Sequence, residues 1–190
     1  MVLIVGITGA TGAIYGIRLL EVLSRIGTVE THLIISKCGE ETIKYETDYE
    51  LGDVRALANV SYEIDDIGAC LSSGSFRRDG MIIAPCTIKT MSALATSYAE
   101  NLIVRAGDVT LKERKPLVLV IRETPLHLGH LRSMAQLNEM GAIIFPPVPS
   151  FYNRPKTIDD IVNSTVGRVL DLFNVEHGLS SRWSGLASEG

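Results

Sequence analysis

The chain has 190 residues, 46% of them hydrophobic and 21% charged, with a formal net charge of −4. That size and apolar content suffice to bury a core as one domain and exclude disorder, while the acidic balance excludes a basic face for nucleic acid or anionic lipid. Partners are therefore expected among small molecules and protein chains. Cys38, Cys70 and Cys86 are odd in number and lack C-x-x-C spacing, which argues against a disulfide framework or structural zinc and for a reducing cytoplasm.

The apolar run at the start is broken by Gly6, far short of the roughly 20 apolar residues of a membrane helix, and no positive charge precedes it. No targeting signal or membrane span is expected. Short apolar runs bounded by turn residues predict buried strands at 2–7, 32–36, 81–84, 117–121 and 142–145. Helical spacing relates Ile14, Ile17, Leu20 and Leu23, and again Leu126, Leu131, Met134, Leu137 and Met140. A last helix is predicted over 157–175, with Thr157 as N-cap and Asp159 and Asp160 in its first turn. This alternation through 1–177 predicts a single α/β domain, a Rossmann-like, doubly wound, mostly parallel sheet with right-handed crossovers and helices on both faces. The tail, 178–190, carries Trp183 and is expected to dock on the site or on a neighbouring protomer, because leaving that ring in water forgoes about 2–3 kcal/mol of burial.

Candidate chemistry begins in the loop Gly6-Ile7-Thr8-Gly9-Ala10-Thr11-Gly12, between the first strand and the first helix. Its glycines permit close backbone approach, the helix start offers unpaired N–H groups, and Thr8 and Thr11 add hydroxyls, so the loop reads as a phosphate cradle. A dinucleotide is one possible owner. Against NAD, the second strand ends in Ser36-Lys37 rather than in an acidic residue; Lys37 suits a 2′-phosphate better. The one Tyr-x-x-x-Lys match, Tyr152 to Lys156, contains Pro155, which breaks the helix that pairing needs. A second polar cluster, Cys86-Thr87-Ile88-Lys89-Thr90, follows the predicted strand 81–84, where open α/β sheets bind ligands; Thr87 also reads as a helix N-cap. Ser72-Ser73-Gly74-Ser75 reads either as a flexible loop or as a further donor of hydroxyl and N–H groups. Arg105, Lys112, Arg122 and Arg168 are candidate phosphate ligands, and Arg122 stands out because it follows the strand 117–121 directly. Asp159-Asp160 is better explained by helix capping than by Mg²⁺, and His127 with His130 lacks a third ligand, so no metal is expected.

Taken in order, G-I-T-G-A-T-G-A at 6–13, Ile35-Ser36-Lys37, Glu46-Thr47-Asp48, Ser73-Gly74-Ser75, Pro85-Cys86 through Thr90, Asn101-Leu102-Ile103 with Arg105-Ala106, Arg122-Glu123-Thr124-Pro125, Phe151-Tyr152 and Arg182-Trp183 resemble the UbiX-type flavin prenyltransferases. These are also known as the small or B subunits associated with phenolic acid decarboxylases. The resemblance covers nearly the whole chain. It departs at Thr11, where Ser is common, and in the cluster Cys86-Thr87-Ile88-Lys89-Thr90, where small residues or Ser-Met-Lys are more usual, which bears on Ile88 and Lys89.

The resemblance implies a flavoprotein-like fold and an enzyme that takes a dimethylallyl group from dimethylallyl monophosphate to N5 and C6 of reduced FMN. It implies that Gly9, Ala10, Thr11, Ser36, Thr87, Ile88, Lys89, Thr90 and Arg122 hold FMN. Ser75, Arg105, Lys112, Tyr152 and Arg168 would hold the allylic phosphate, and Glu46, Glu123, Tyr152 and Trp183 would line the reacting region. It further implies a homododecamer with pockets shared among protomers, and a product handed to a UbiD-type decarboxylase. Read independently, breaking an allylic C–O bond leaves a cation and a phosphate, which calls for a π face on one side and Arg or Lys donors on the other. Two alternatives are a flavin-dependent cysteine decarboxylase and a non-catalytic FMN carrier. The first relies on a histidine near the early helix, which Lys37-Cys38-Gly39 lacks, and on an Asn-bearing segment, which Thr87 to Thr90 lacks.

Overall fold

The computed structural model describes residues 1–179, in two compact units that divide between Pro147 and Val148. The first unit runs β1 (Val2–Ile7), α1 (Ala13–Ile26), β2 (Glu30–Ile35), α2 (Lys37–Glu46), α3 (Leu51–Ala56), β3 (Val60–Tyr62), β4 (Gly80–Cys86), α4 (Ile88–Ala95), α5 (Leu102–Lys112), β5 (Leu117–Ile121), α6 (Leu128–Glu139) and β6 (Ile143–Ile144). All strands pair in parallel in the order β3-β2-β1-β4-β5-β6. The chain winds outward from β1 to β3, then returns to the other side of β1 for β4 to β6. The α/β class, the parallel sheet and the double winding are as the sequence predicts.

The central strands carry unbroken apolar runs because both faces are covered: every residue of β4 and β5 is buried. Side chains alternate across the pleat. Ile4, Ile34, Met81, Ile83, Leu117 and Leu119 meet Met91, Leu94, Ile103, Ala106 and Leu137 of α4, α5 and α6 in one core cluster. On the opposite face, α1 and α2 approach the sheet so closely that main chain touches main chain. A Cβ on Gly16 would lie 2.3 Å from the Ala84 carbonyl oxygen, and one on Gly39 would lie 2.7 Å from that of Ile7.

Three expectations need correction. A sixth strand, Val60–Tyr62, pairs with β2 outside any predicted run; three residues with a serine in the middle present no apolar signal. Of the residues expected on one face around α6, Met134, Leu137 and Met140 pack on the core, whereas Leu126, which precedes the helix, and Leu131 are exposed. The last helix, α7 (Ile158–Asp171) in the second unit, starts as predicted but stops short of 175. Thr157 and Asp160 form a reciprocal capping box, and the hydrogen bonds that Asp160 accepts from the Lys156 and Thr157 amides hold its carboxyl below the usual range. At the other end Asn174 takes φ 55°, and the Val175 amide folds back to the Leu170 carbonyl, ending the helix.

The glycine contacts give a paired test. Gly16→Ala must push α1 off β4 and is expected to cost about 1–3 kcal/mol in denaturant unfolding. Gly52→Ala, in α3 with no atom within 4 Å of the new Cβ, is expected to be neutral or to stabilise by up to about 1 kcal/mol.

Candidate functional site

The carboxyl ends of β1 and β4 are where the winding reverses, and an open sheet leaves a crevice there. Thr8 ties the two ends together. It is 2% exposed; its hydroxyl donates to the Pro85 carbonyl at 2.8 Å and accepts from the Thr87 amide at 2.9 Å, while its own amide donates to Pro85 at 3.2 Å. That hydroxyl is therefore spent on joining strands, which corrects its expected role as a phosphate donor.

A cavity of about 550 Å³ opens beside this clamp, within the range of about 300–1,000 Å³ usual for small-molecule sites. Three helix starts border it. Ser36 caps α2 by accepting from the Gly39 amide at 3.0 Å. Thr87 caps α4 by accepting from the Thr90 amide at 3.2 Å, and its hydroxyl donates to that of Thr90 at 3.0 Å. Asn101 caps α5 by accepting from the Val104 amide at 3.1 Å. In each case the first two helical amides have no intrahelical partner, although in α5 that of Leu102 donates to the Ile64 carbonyl at 2.9 Å, and the helix dipole adds positive potential. Lys37 and Lys89 also line the cavity, paired with Asp65 at 2.8 Å and Glu100 at 3.0 Å; those carboxylates raise both ammonium pKa values. Gly9 has no room for a side chain, because a Cβ would lie 2.4 Å from that of Cys38. Such a surface suits a phosphorylated ligand.

The structure thus brings together Gly9, Ser36, Thr87, Lys89 and Thr90 of the expected FMN set. Ile88 differs, packing its side chain against the core cluster. Ala10 and Thr11 belong to the outer part of the loop, and Thr11 is exposed. The start of α1 does not offer the unpaired amides expected of it: Gly12 and Ala13 donate to Glu46 Oε2 at 2.7 and 3.2 Å, so a carboxylate from the end of α2 already sits there. Arg122 follows β5 at the same edge of the sheet, its amide reaching the Cys86 carbonyl at 3.4 Å, and its guanidinium is exposed. Beside it, Glu123 Oε1 accepts from the Thr124 amide at 3.0 Å.

The expected phosphate ligands fall elsewhere. Lys112, paired with Glu113, lies beside Gly74, the chain neighbour of Ser75, whose hydroxyl bonds that of Ser73 at 2.8 Å. Gly74 and Glu113 border a second hollow together with Val2, Asp79 and Lys115, which precede or begin β1, β4 and β5, so this cluster is at the amino edge of the sheet. Arg105 reaches the Ser72 carbonyl at 3.1 Å and Asp108 at 3.1 Å. Tyr152 and Arg168 belong to the second unit, where Arg168 pairs with Asp171 at 2.8 Å. Trp183 lies outside the described residues. Asn101, Asp65 and Glu100 were not singled out as site residues; Asn101 carries an N-cap signal before Leu102-Ile103, whereas the acids give none. Among the described residues no group of three His, Cys, Asp or Glu is placed to hold a metal, and His127 accepts from the Gly129 amide as the cap of α6. No described helix is long and apolar enough to cross a membrane.

The flavoprotein family model matches residues 1–170. A flavin prenyltransferase UbiX of Thauera aromatica is 58% identical, over 97% of this chain and 95% of its own length. The crystal structure of AnUbiX (PadA1) in complex with FMN and dimethylallyl pyrophosphate superposes with a TM-score of 0.95 at 52% identity, covering 97% of each chain. A dodecameric FMN-dependent UbiX-like decarboxylase from Escherichia coli O157:H7 superposes with a TM-score of 0.96 at 52% identity, over 97% of this chain and all of that one.

The clamp is open to test. Thr8→Val keeps the shape but leaves the Thr87 amide without its acceptor, so unfolding should show a loss of about 1–3 kcal/mol and ligand affinity at the cavity should fall with it. Unchanged stability in a denaturant titration would remove Thr8 from this role.

Proposed function

The chain belongs to the flavin prenyltransferases of the flavoprotein family, and on that footing we propose that it joins a dimethylallyl group from dimethylallyl monophosphate to N5 and C6 of reduced FMN. The product, prenylated FMN, serves a UbiD-type aromatic acid decarboxylase. The observation that carries this reading is the cavity at the β1/β4 switch point, bordered by three helix starts and two lysines.

The residues present fit FMN. Gly9 lets the ligand approach the main chain, the first amides of α2 and α4 and the hydroxyls of Ser36 and Thr90 offer donors to a phosphate, and Lys89 completes that side, while Thr87, whose hydroxyl proton goes to Thr90, holds the α4 cap. Arg122 contributes a planar cation at the neighbouring strand end, and Ala10, Thr11 and Ile88 flank the site. Bound reduced flavin supplies the nucleophilic atoms of the transfer.

The donor's phosphate is assigned to Ser75, Arg105, Lys112, Tyr152 and Arg168. β4 has seven residues, so its two ends are roughly 20 Å apart, and the Lys112 cluster of one copy is remote from that copy's cavity. Pockets shared between copies resolve this, which supports a homo-oligomer, a dodecamer like the Escherichia coli O157:H7 relative. Cationic side chains balance the leaving phosphate without a metal, and Trp183 and Tyr152 are assigned to the allylic cation, for which an aromatic π face is suited. Glu46 and Glu123 are assigned as proton relays. Glu46 accepts both amide bonds on Oε2, and Glu123 accepts on Oε1, so each keeps an oxygen for a proton. A single domain over 1–177 with a docking tail remains part of this reading, as does the cytoplasm, to which the three unpaired cysteines are suited.

Incubation with reduced FMN and dimethylallyl monophosphate, followed by mass spectrometry of the flavin, is expected to show a gain of one C5 unit. A parallel incubation with the diphosphate decides the donor. Unmodified flavin that stays bound favours the carrier, and loss of carboxyl from a cysteine peptide favours the decarboxylase. Glu46→Gln is expected to lower turnover at least tenfold with FMN still bound; unchanged turnover removes Glu46 from the mechanism.

A further inference from the structure

Arg78 has no part in the functions assigned so far, yet its side chain is 3% exposed. A guanidinium taken out of water needs partners for its donors, and here three main-chain carbonyls take one bond from each of its nitrogens. Nη2 donates to Ser73 O at 2.6 Å, Nη1 to Ala106 O at 3.3 Å, and Nε reaches Phe76 O at 3.5 Å, while the guanidinium stands 5.4 Å from the centre of the Phe76 ring. Burial lowers its pKa, against an opposing pull from Glu113. One side chain therefore stitches the 73–76 loop to the middle of α5. The neighbour of Ala106, Arg105, grips the same loop at Ser72 O. Gly74 lies so close to the end of α5 that a Cβ there would be 2.7 Å from Lys112 Nζ.

We propose that Arg78 is a positioning residue for the allylic phosphate: by holding the Ser73 and Ala106 carbonyls at one guanidinium it sets the spacing of Ser75, Arg105 and Lys112. The inference rests on the assignment of those three side chains to that phosphate. Lysine cannot replace it, because a single ammonium does not present the planar fork that spans two segments.

The test uses the full-length oligomer with FMN bound, and compares wild type with Arg78→Lys and with Phe76→Leu, which removes the ring but leaves the hydrogen bonds. Calorimetry with dimethylallyl monophosphate is expected to show affinity reduced about tenfold or more in Arg78→Lys and two- to fivefold in Phe76→Leu. KM should rise in parallel, kcat at saturation should stay within about threefold, and FMN affinity within about twofold. Amide exchange should quicken at 72–76 and stay unchanged at 8–12 and 87–91. Equal phosphate affinity in wild type and a folded variant overturns the proposal, as does FMN affinity falling in step with phosphate affinity, the mark of a general packing defect. If Arg78→Lys does not fold, an unchanged affinity in Phe76→Leu overturns it. Wild type that binds the phosphate but leaves flavin unmodified refutes the transferase reading alone, and wild type that does not bind it refutes both.

Discussion

The buried hydroxyl of Thr8 holds the ends of two strands that are neighbours in space and 77 residues apart in sequence. In a doubly wound sheet the ends of β1 and β4 diverge into helices, and past the last ladder pair, Gly6 with Ile83, one main-chain bond from the Thr8 amide to the Pro85 carbonyl still joins them. The Thr8 side chain adds a second bond to Pro85 and one from the Thr87 amide, and so sets where α4 begins. The glycine contacts act on the same point from the other face, since Gly16 rests on Ala84 and Gly39 on Ile7. The cavity is the space left between helix starts that are held in this way.

Charge at this edge is arranged in layers. Amide dipoles of α2, α4 and α5 give it a fixed positive potential, independent of pH, while Lys37 and Lys89 add charges tied by exposed ion pairs. Such pairs contribute little to stability, so exchanging a carboxylate partner for a ligand phosphate costs little. α1 behaves differently: Glu46 already satisfies its first amides, so of the four helices that start at this edge of the sheet's centre, one is closed to an external anion. The same carboxylate is the group assigned to proton transfer, which couples the geometry of the glycine loop to the chemistry.

Much of this was legible in the residues. The buried strands read as apolar runs because helices cover both faces, and Thr157 and Thr87 announced helix starts through hydroxyls at N-cap positions. The fold class follows from alternation alone, whereas the flavin and its prenyl donor came from resemblance and not from spacing. What was hidden was pairing at long range. No local pattern says that Glu46 reaches back to Gly12, that Thr8 serves Pro85 and Thr87, or that Asp65 and Glu100 answer the two lysines. β3 escaped notice because three residues at a sheet margin need no apolar run, and Leu126 and Leu131 misled because spacing reports a face without saying what lies against it. Arg78 was invisible for a related reason: a basic residue beside Arg77 reads as surface until its carbonyl partners are seen.

A crystal structure of the full-length protein with FMN tests the central claim most directly. The account predicts the flavin phosphate within hydrogen-bonding distance of the first amides of α2 or α4 and of the Ser36 or Thr90 hydroxyl, with the Thr8 bridge intact. A flavin phosphate seated on the Gly12 and Ala13 amides with Glu46 displaced, or one bound away from the β1/β4 switch point, would contradict it.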